Sequence, residues 1–377
     1  MKKALCIIMI AVPLNLCGDD VMVRVLNKYH PQAITVNVRG DADTVCRIIY
    51  DEGVYILYEN GQKNRVTDTC PLFGGARSTY TVAAGNIRKE YTGSVYAAFF
   101  NEEKEAGLIL KSDIEDYTAG VLCAETGSEY FSPESAKALS VVIRTYIYEN
   151  RGRHGVYDVC DLAHCQVFSG VAPGMEKCTQ AAYATRGEIL ISGKKEKRAF
   201  FSACCGGVFE HPENIWRRGK SAAAADEADG EILCSRHEDF EWKTELPAGN
   251  INRVLKNISG RGMLYIRRAE ITGRTPGNRA RKITFHGIFG KKTVPANRFI
   301  SSYCSIYGWK EIPSALFGIS RKAGGFVLKG RGFGHGAGLC MAGARRLAEK
   351  GYNYREILRH YFPDVKVGIK TEASPGS

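Results

Sequence analysis

The sequence predicts a mixed α+β fold, a small helical region packed on antiparallel β-sheets, with β-rich N-terminal and C-terminal portions forming a cleft. Three observations predict it. Residues 20–110 and 240–330 carry short runs of β-branched and aromatic residues in rough alternation, broken by Gly, Asn and Asp. Residues 111–150 instead repeat apolar side chains every three or four positions, the helical period. A chain of 377 residues with 44% hydrophobic content can bury a large core and divide into lobes. The expected organisation is a leader or anchor over 1–17, a β-rich lobe over 20–110 and a helical core over 111–215. A second β-rich lobe over 216–364 ends in a glycine-rich segment and short helices, and 365–377 is a tail.

The elements follow in order. Met1-Lys2-Lys3 before the apolar run Ala4–Leu16 reads as a secretion signal, which places the chain in the periplasm or cell envelope. Cys17 stands where a lipidated cysteine would, but Leu16 is large for a cleavage site. Cleavage, lipidation and an uncleaved membrane anchor all stay open. VMVRVLN, AITVNVRG, TVCRIIYDEGVYILYENGQ and SVYAAFF are strands. The first helix starts at the Ser112/Glu115 capping box, with Asp113 and Asp116 in its first turn. Ile114, Tyr117, Val121 and Leu122 are its buried stripe. The second starts with Ser132 as N-cap and Pro133 at its first position, and Ala136, Leu139, Ile143, Tyr146 and Ile147 face inward. Residues 151–215 turn irregular and Cys-rich. SAAAADEADGE over 221–231 reads as an exposed loop or linker. RRAEITGRT, KITFHGIFG and GFVLKGRG are strands, and two short helices run from Leu339 through His360.

The net charge of +12 suggests an acidic environment. Nucleic acid is excluded as the partner, because the basic residues are scattered, with no basic helix and no aromatic RNA-binding strand motif. An exported basic protein meets anionic envelope polymers instead. Of 13 cysteines, Cys6 and Cys17 would leave with a signal, and 13 − 2 = 11 is still odd. At least one thiol is then free, metal-bound or intermolecular, although disulfides are the ordinary expectation in an oxidising compartment.

Four groups of residues could carry chemistry. Glu125 stands three residues after Leu122, so it shares the buried face of the first helix near its C-terminus. The negative end of the helix dipole and partial removal from water both favour a protonated carboxyl, the state a general acid needs. A surface acid paired with Lys or Arg is the other reading. In YDVCDLAHCQVFSG, the ligand types Cys160, His164 and Cys165 lie close enough to share one structural zinc, with His154 as a fourth ligand. A Cys160–Cys165 disulfide or plain buried thiols fit equally. In GRGFGHGAGL, glycines at 330, 332, 334, 336 and 338 strip one side of an extended segment and leave Arg331, Phe333 and His335 on the other. That suits close approach by a ligand or simply a tight packing seam. A dinucleotide cradle fails, since the phosphate-binding spacing is not met and about forty residues remain, too few for a doubly wound sheet. In FFSACCGGVFE, Cys204 and Cys205 are flanked by apolar residues. A cysteine nucleophile, Cys165 or Cys205 with His335 as base, has no local support.

Taken in order, DIEDYTAGVLCAE, SPESAKALSVVIRTYIYE, YDVCDLAHCQVFSG, AAYATRGEIL, FFSACCGG and GRGFGHGAGLCMAGARRLAEKGYNYREILRHYFP resemble the stage II sporulation protein D family, which includes amidase enhancers. The resemblance runs from about residue 20 to residue 364. It implies a peptidoglycan lytic transglycosylase that cuts the β-1,4 bond between N-acetylmuramic acid and N-acetylglucosamine in glycan strands stripped of stem peptides by a partner amidase.

Glu125 matches the family's catalytic glutamate. The family's zinc-associated region matches Cys160, His164 and Cys165, and Arg144, Tyr146, Gln166, Arg331 and His335 are expected around the substrate groove. A glycan-binding protein that recruits or stimulates a cell-wall amidase is the alternative. The sequence also departs from the family pattern. Thr126 and Gly127 follow Glu125 where methionine is usual, which predicts a looser helix exit. Ala203, Cys204, Val208 and Phe209 replace hydrogen-bonding residues around Gly206-Gly207. Phe333 replaces a frequent Trp, and Cys340-Met341 a more polar pair.

Overall fold

The computed structural model describes residues 20–370 apart from 40–44, 51–53, 59–61, 67–68, 76–77, 101–104, 128–131, 172, 192–198, 218 and 264. The expected export segment, with Cys6 and Cys17, lies outside the described residues. The fold is α+β. Its helices are α1 (Ile114–Thr126), α2 (Pro133–Glu149), α3 (Glu176–Ala184), α4 (Pro212–Trp216), α5 (Ala248–Ser259), α6 (Ala296–Tyr307), α7 (Met341–Glu349) and α8 (Tyr354–Tyr361). Among the described residues no helix is long and apolar enough to cross a membrane. The chain forms two units. One holds the described residues up to Tyr117 together with Arg151–Ala172, and the other holds Thr118–Asn150 and the described residues from Pro173 onward.

Among the described residues, the first unit contains two sheets. In one, Asp20–Val25 pairs antiparallel with Glu105–Asp113, which pairs with Ser94–Phe100. The short strand Val159–Cys160 lies parallel to Asp20–Val25 on its other side. Val21, Val23 and Val25 on one face and Met22 and Arg24 on the other are all at most 4% exposed, so both faces of this strand are covered. Two buried carboxylates fasten the returning segment. Asp158 accepts the Met22 N–H at 3.0 Å and the Gly152 N–H at 2.8 Å, and Asp161 accepts those of Leu26 at 2.7 Å and Asn27 at 3.2 Å. The other sheet has six antiparallel strands, with Ala33–Val38 between Val45–Tyr50 and Thr79–Ala84.

In the second unit, α2 is the central element. Its predicted stripe is buried, but so are Ala138, Val141, Val142 and Arg144, because α3, α7, α8 and the strand Glu188–Ile191 all pack against it. The expected tail contributes here: Lys366–Ile369 pairs antiparallel with Glu188–Ile191, so residues 366–369 are part of the fold. A separate apolar core lies beneath the sheets Glu241–Pro247/Gly325–Arg331/Phe317–Lys322 and Arg268–Arg274/Ala280–Gly287/Gly290–Pro295. There Ile251, Leu255, Phe285, Phe299 and Leu328 are fully buried between sheet, α5 and α6.

The glycine-rich segment is a packing seam on the side its glycines strip. Gly332, Gly334, Gly336 and Gly338 all have positive φ. A Cβ at Gly332 would come within 2.7 Å of the Cys204 carbonyl, and one at Gly338 would clash with the Phe200 carbonyl oxygen. The segment thus lies directly on the backbone of residues 200–206. Gly338→Ala combines a left-handed φ with a backbone clash and is expected to cost roughly 2–3 kcal/mol. Urea unfolding checks this, and an unchanged midpoint would contradict the close approach.

Candidate active site

Glu125 is positioned by how α1 begins and ends. The side chain of Asp113, one residue after the expected cap, accepts the N–H groups of Glu115 at 2.8 Å and Asp116 at 3.4 Å. Ser112 instead donates its hydroxyl to the Asp113 carbonyl. Ile114, Tyr117, Val121 and Leu122 are buried as their spacing predicts. Thr126 and Gly127 do not loosen the helix exit. The Thr126 hydroxyl donates to the Leu122 carbonyl at 2.8 Å, and Gly127, at φ +63°, donates its N–H to the Cys123 carbonyl at 3.1 Å. A bonded last turn flanks the acid, which is partly buried.

Glu125 lines a pocket of about 190 Å³ within the second unit. Thr126 adjoins it, Ser135 and Leu139 of α2 form one wall, and Met341, Ala342 and Arg345 of α7 form another. Phe333 and Lys310 complete a rim, and His237, Glu238 and Asp239 lie on a third side. The last two bring further carboxylates to the pocket of Glu125. No periodicity or motif marked them in the sequence.

Phe333 also lines a neighbouring cavity of about 560 Å³ with Trp216, Arg217, Trp309 and His335. Trp309 is 67% exposed and Trp216 49%, unusual for such large rings. Trp309 meets Phe333 edge-on at 5.3 Å, and Trp216 meets His335 at 5.0 Å. The Lys310 ammonium sits 5.3 Å from the Trp309 ring.

His335 therefore joins the aromatic cavity. Its Nδ1 accepts the Ala337 N–H at 2.9 Å. Removal from water, reinforced by the nearby Arg279 guanidinium, lowers its pKa from 6.5 to about 4. The neutral ring is thus the folded form. Stability from this group is complete above the unfolded value near 6.5 and is lost as pH falls towards 4. The residue is only partly buried, which screens part of the effect, so the expected loss is roughly 2 kcal/mol. His335→Phe should flatten the stability profile between pH 6.5 and 4, as urea titrations would read. An equally steep acid limb in that variant would contradict the assignment.

The other expected groove residues lie elsewhere. Arg144 is fully buried, donating to the carbonyls of Glu188 at 2.8 Å and Ala182 at 3.1 Å, so it ties α2 to the segment behind it. Tyr146 is 3% exposed, its ring edge-on to Phe200 at 5.7 Å. Gln166 belongs to the first unit, buried, and accepts the Tyr117 hydroxyl at 3.3 Å. Arg331 is exposed beside a different depression lined by Trp242 and Arg274.

In the first unit, the Cys/His segment brings potential ligands together. His154 Nε2 is 3.3 Å from Cys165 Sγ, and His164 Nδ1 is 3.5 Å from Cys165 Sγ and 3.8 Å from Cys160 Sγ. A tetrahedral zinc with metal–sulfur bonds of about 2.3 Å and metal–nitrogen bonds of about 2.0 Å separates S and N ligands by about 3.5 Å. Cys160, His164 and Cys165 stand at about that spacing through His164, and His154 lies beside Cys165 and His164, but the four ligand atoms do not all lie within 4.8 Å of one another. Desolvation lowers the His154 pKa, keeping the ring in the neutral form a metal binds. All eleven described cysteines are thiols, so the 160–165 disulfide does not form.

The model of the family described as Stage II sporulation protein matches residues 102–191, a span that contains α1 with Glu125, α2 and the Cys/His segment. Stage II sporulation protein D of Bacillus amyloliquefaciens is 28% identical over 280 residues, covering 67% of this chain and 74% of that protein. The chain carries a Stage II sporulation protein domain over residues 102–191. An uncharacterized protein of Brachyspira hyodysenteriae is similar too, 27% identical over 283 residues, 74% of this chain and 72% of that one. The amidase enhancer of Bacillus subtilis is 24% identical over 270 residues, covering 62% of this chain and 38% of its own length. The walls contributed by His237–Asp239, Phe333 and α7 lie outside the span matched by the family model.

Proposed function

We propose that the protein is an exported peptidoglycan lytic transglycosylase, acting on peptide-free glycan strands in the cell envelope, with Glu125 as its acid and base. The observation that carries this reading is the Glu125 pocket: an acid at a firmly terminated helix end, within the family-matched span, beside a cavity rimmed by exposed aromatic rings. Such rings offer flat apolar faces to sugar rings, and Lys310 and Arg345 offer cationic donors to carbonyl and lactyl oxygens. Glu125 in its acid form donates a proton to the bridging oxygen as the C1–O bond of the muramic residue breaks. As carboxylate it then takes the proton of that residue's C6 hydroxyl, whose oxygen bonds to C1. The product ends are 1,6-anhydro-muramic acid and an N-acetylglucosamine hydroxyl, and no water is consumed.

A structural zinc held by Cys160, His164 and Cys165 would supply no step in this chemistry; it would cross-link the Arg151–Ala172 segment. A second reading rests on the similarity to an amidase enhancer: a glycan-binding protein that engages a cell-wall amidase. Incubating peptide-free strands with the protein and with Glu125→Gln separates the two. Cleavage by the unmodified protein alone supports the enzyme, whereas intact strands bound equally by both would leave only the binding reading.

A further inference from the structure

The second unit contains a thiol-rich cluster that the Glu125 chemistry does not use. Cys205, Cys234, Cys340 and Asp226 are each at most 1% exposed, and their ligand atoms all lie within 4.8 Å of one another. Cys205 Sγ is 3.6 Å from Cys234 Sγ and 3.0 Å from Asp226 Oδ2. Around a tetrahedral zinc, two sulfurs stand about 3.8 Å apart and a sulfur and an oxygen about 3.5 Å. The cluster is therefore close to the size of a zinc coordination sphere.

The surroundings suit thiolates. Backbone N–H groups point at two of the sulfurs: Gly207 donates to Cys234 Sγ at 3.2 Å, and Cys205 and Gly343 donate to Cys340 Sγ at 3.3 and 3.5 Å. Asp226 is oriented as a supported ligand would be. Its Oδ1 accepts the Tyr361 hydroxyl at 2.8 Å, which leaves Oδ2 turned to the sulfurs. The Arg279 guanidinium lies behind the cluster, donating to the Cys205 carbonyl at 2.6 Å, and places a positive charge beside an anionic centre. His360 Nε2 lies 3.6 Å from Asp226 Oδ1 on the side away from the sulfurs, and a zinc ion at Oδ2 would neutralise the carboxylate and the thiolates together.

We propose that Cys205, Cys234, Cys340 and Asp226 bind a structural zinc ion, separate from the Cys/His group of the first unit. Four protein ligands leave no position for substrate, so the ion's role is to fasten. What it fastens is the Glu125 pocket. Ala203 stands two residues before Cys205, His237–Asp239 follow Cys234 by three to five, and Met341 and Ala342 follow Cys340 directly. One ion would pin three walls that come from distant parts of the chain.

The test counts zinc in a His164→Ala/Cys165→Ser variant of the full chain, purified with reductant and zinc and then dialysed, so that retained metal reports the buried cluster alone. One equivalent is expected, lost on adding Cys340→Ser and kept on adding Cys204→Ser. A folded double variant without zinc would overturn the proposal. So would a disulfide joining any two of Cys204, Cys205, Cys234 and Cys340 in the zinc-replete unmodified protein. Zinc-edge X-ray absorption of the unmodified protein decides the matter without any variant. More than two sulfurs per zinc on average is expected, because the Cys/His group alone supplies two, and an average of two or fewer overturns the site.

Discussion

Glu125→Gln is expected to lower the cleavage rate by roughly 10²–10⁴-fold while leaving the fold intact. Glutamine keeps the size and hydrogen-bonding capacity of the side chain but cannot give up or take a proton at the pH of the reaction. The reaction asks for both transfers from one group, so neither survives. Stability should change little, because the side chain is only partly buried and the helix end is held by Thr126 and Gly127. The comparison is of initial rates of chain scission, with circular dichroism and melting temperature as controls. Rates within about threefold of each other would remove Glu125 from the mechanism.

Arg279→Ala is expected to be the most destabilising single change, by about 3–5 kcal/mol. Arg279 and Glu210 are at most 2% exposed, and their charged groups approach to 3.9 Å. The guanidinium also donates to the carbonyls of Cys205 and Val208, at 2.6 and 2.8 Å. Glu210 in turn accepts from the Asn214 amide at 2.8 Å, the Gly277 N–H at 2.9 Å and the Thr275 hydroxyl. Truncating the arginine leaves a buried carboxylate without its counter-charge, two carbonyls without donors, and a void beside Gly336, whose missing side chain makes room for the guanidinium. Chemical denaturation of both proteins measures the difference. A loss below about 1 kcal/mol would mean that water already reaches the pair.

Much of this was legible in the sequence where a local pattern sets the outcome. The apolar stripe of α1, the proline start of α2 and the alternating strands all follow from periodicity and turn chemistry, which depend on neighbouring residues alone. Residues whose role depends on distant chain were misplaced. Arg144 has the charge of a surface or groove residue, and only the carbonyls of Ala182 and Glu188 make its burial tolerable. Asp226 sits in an alanine-rich stretch that reads as exposed linker, yet it is fully buried because Cys205 and Tyr361 converge on it. The glycine-rich segment carried a usable signal: alternate glycines predict close approach, and the partner turned out to be the backbone of residues 200–206 on one side, with Phe333 and His335 facing cavities on the other. Glu238 and Asp239 gave no signal, since a loop that forms a pocket wall has no period to read.

Those two carboxylates sharpen the deciding experiment. A second carboxyl beside the acid is what glycoside hydrolysis requires, to activate water or to act as nucleophile. Digesting peptide-free glycan strands in ¹⁸O-labelled water and identifying the new ends by mass spectrometry distinguishes the chemistries directly. Anhydro-muramic ends carrying no label are predicted, because the C6 hydroxyl of the substrate supplies the oxygen that closes on C1. Reducing ends carrying the label would contradict the account and assign the reaction to water, with Glu238 or Asp239 as the partner of Glu125.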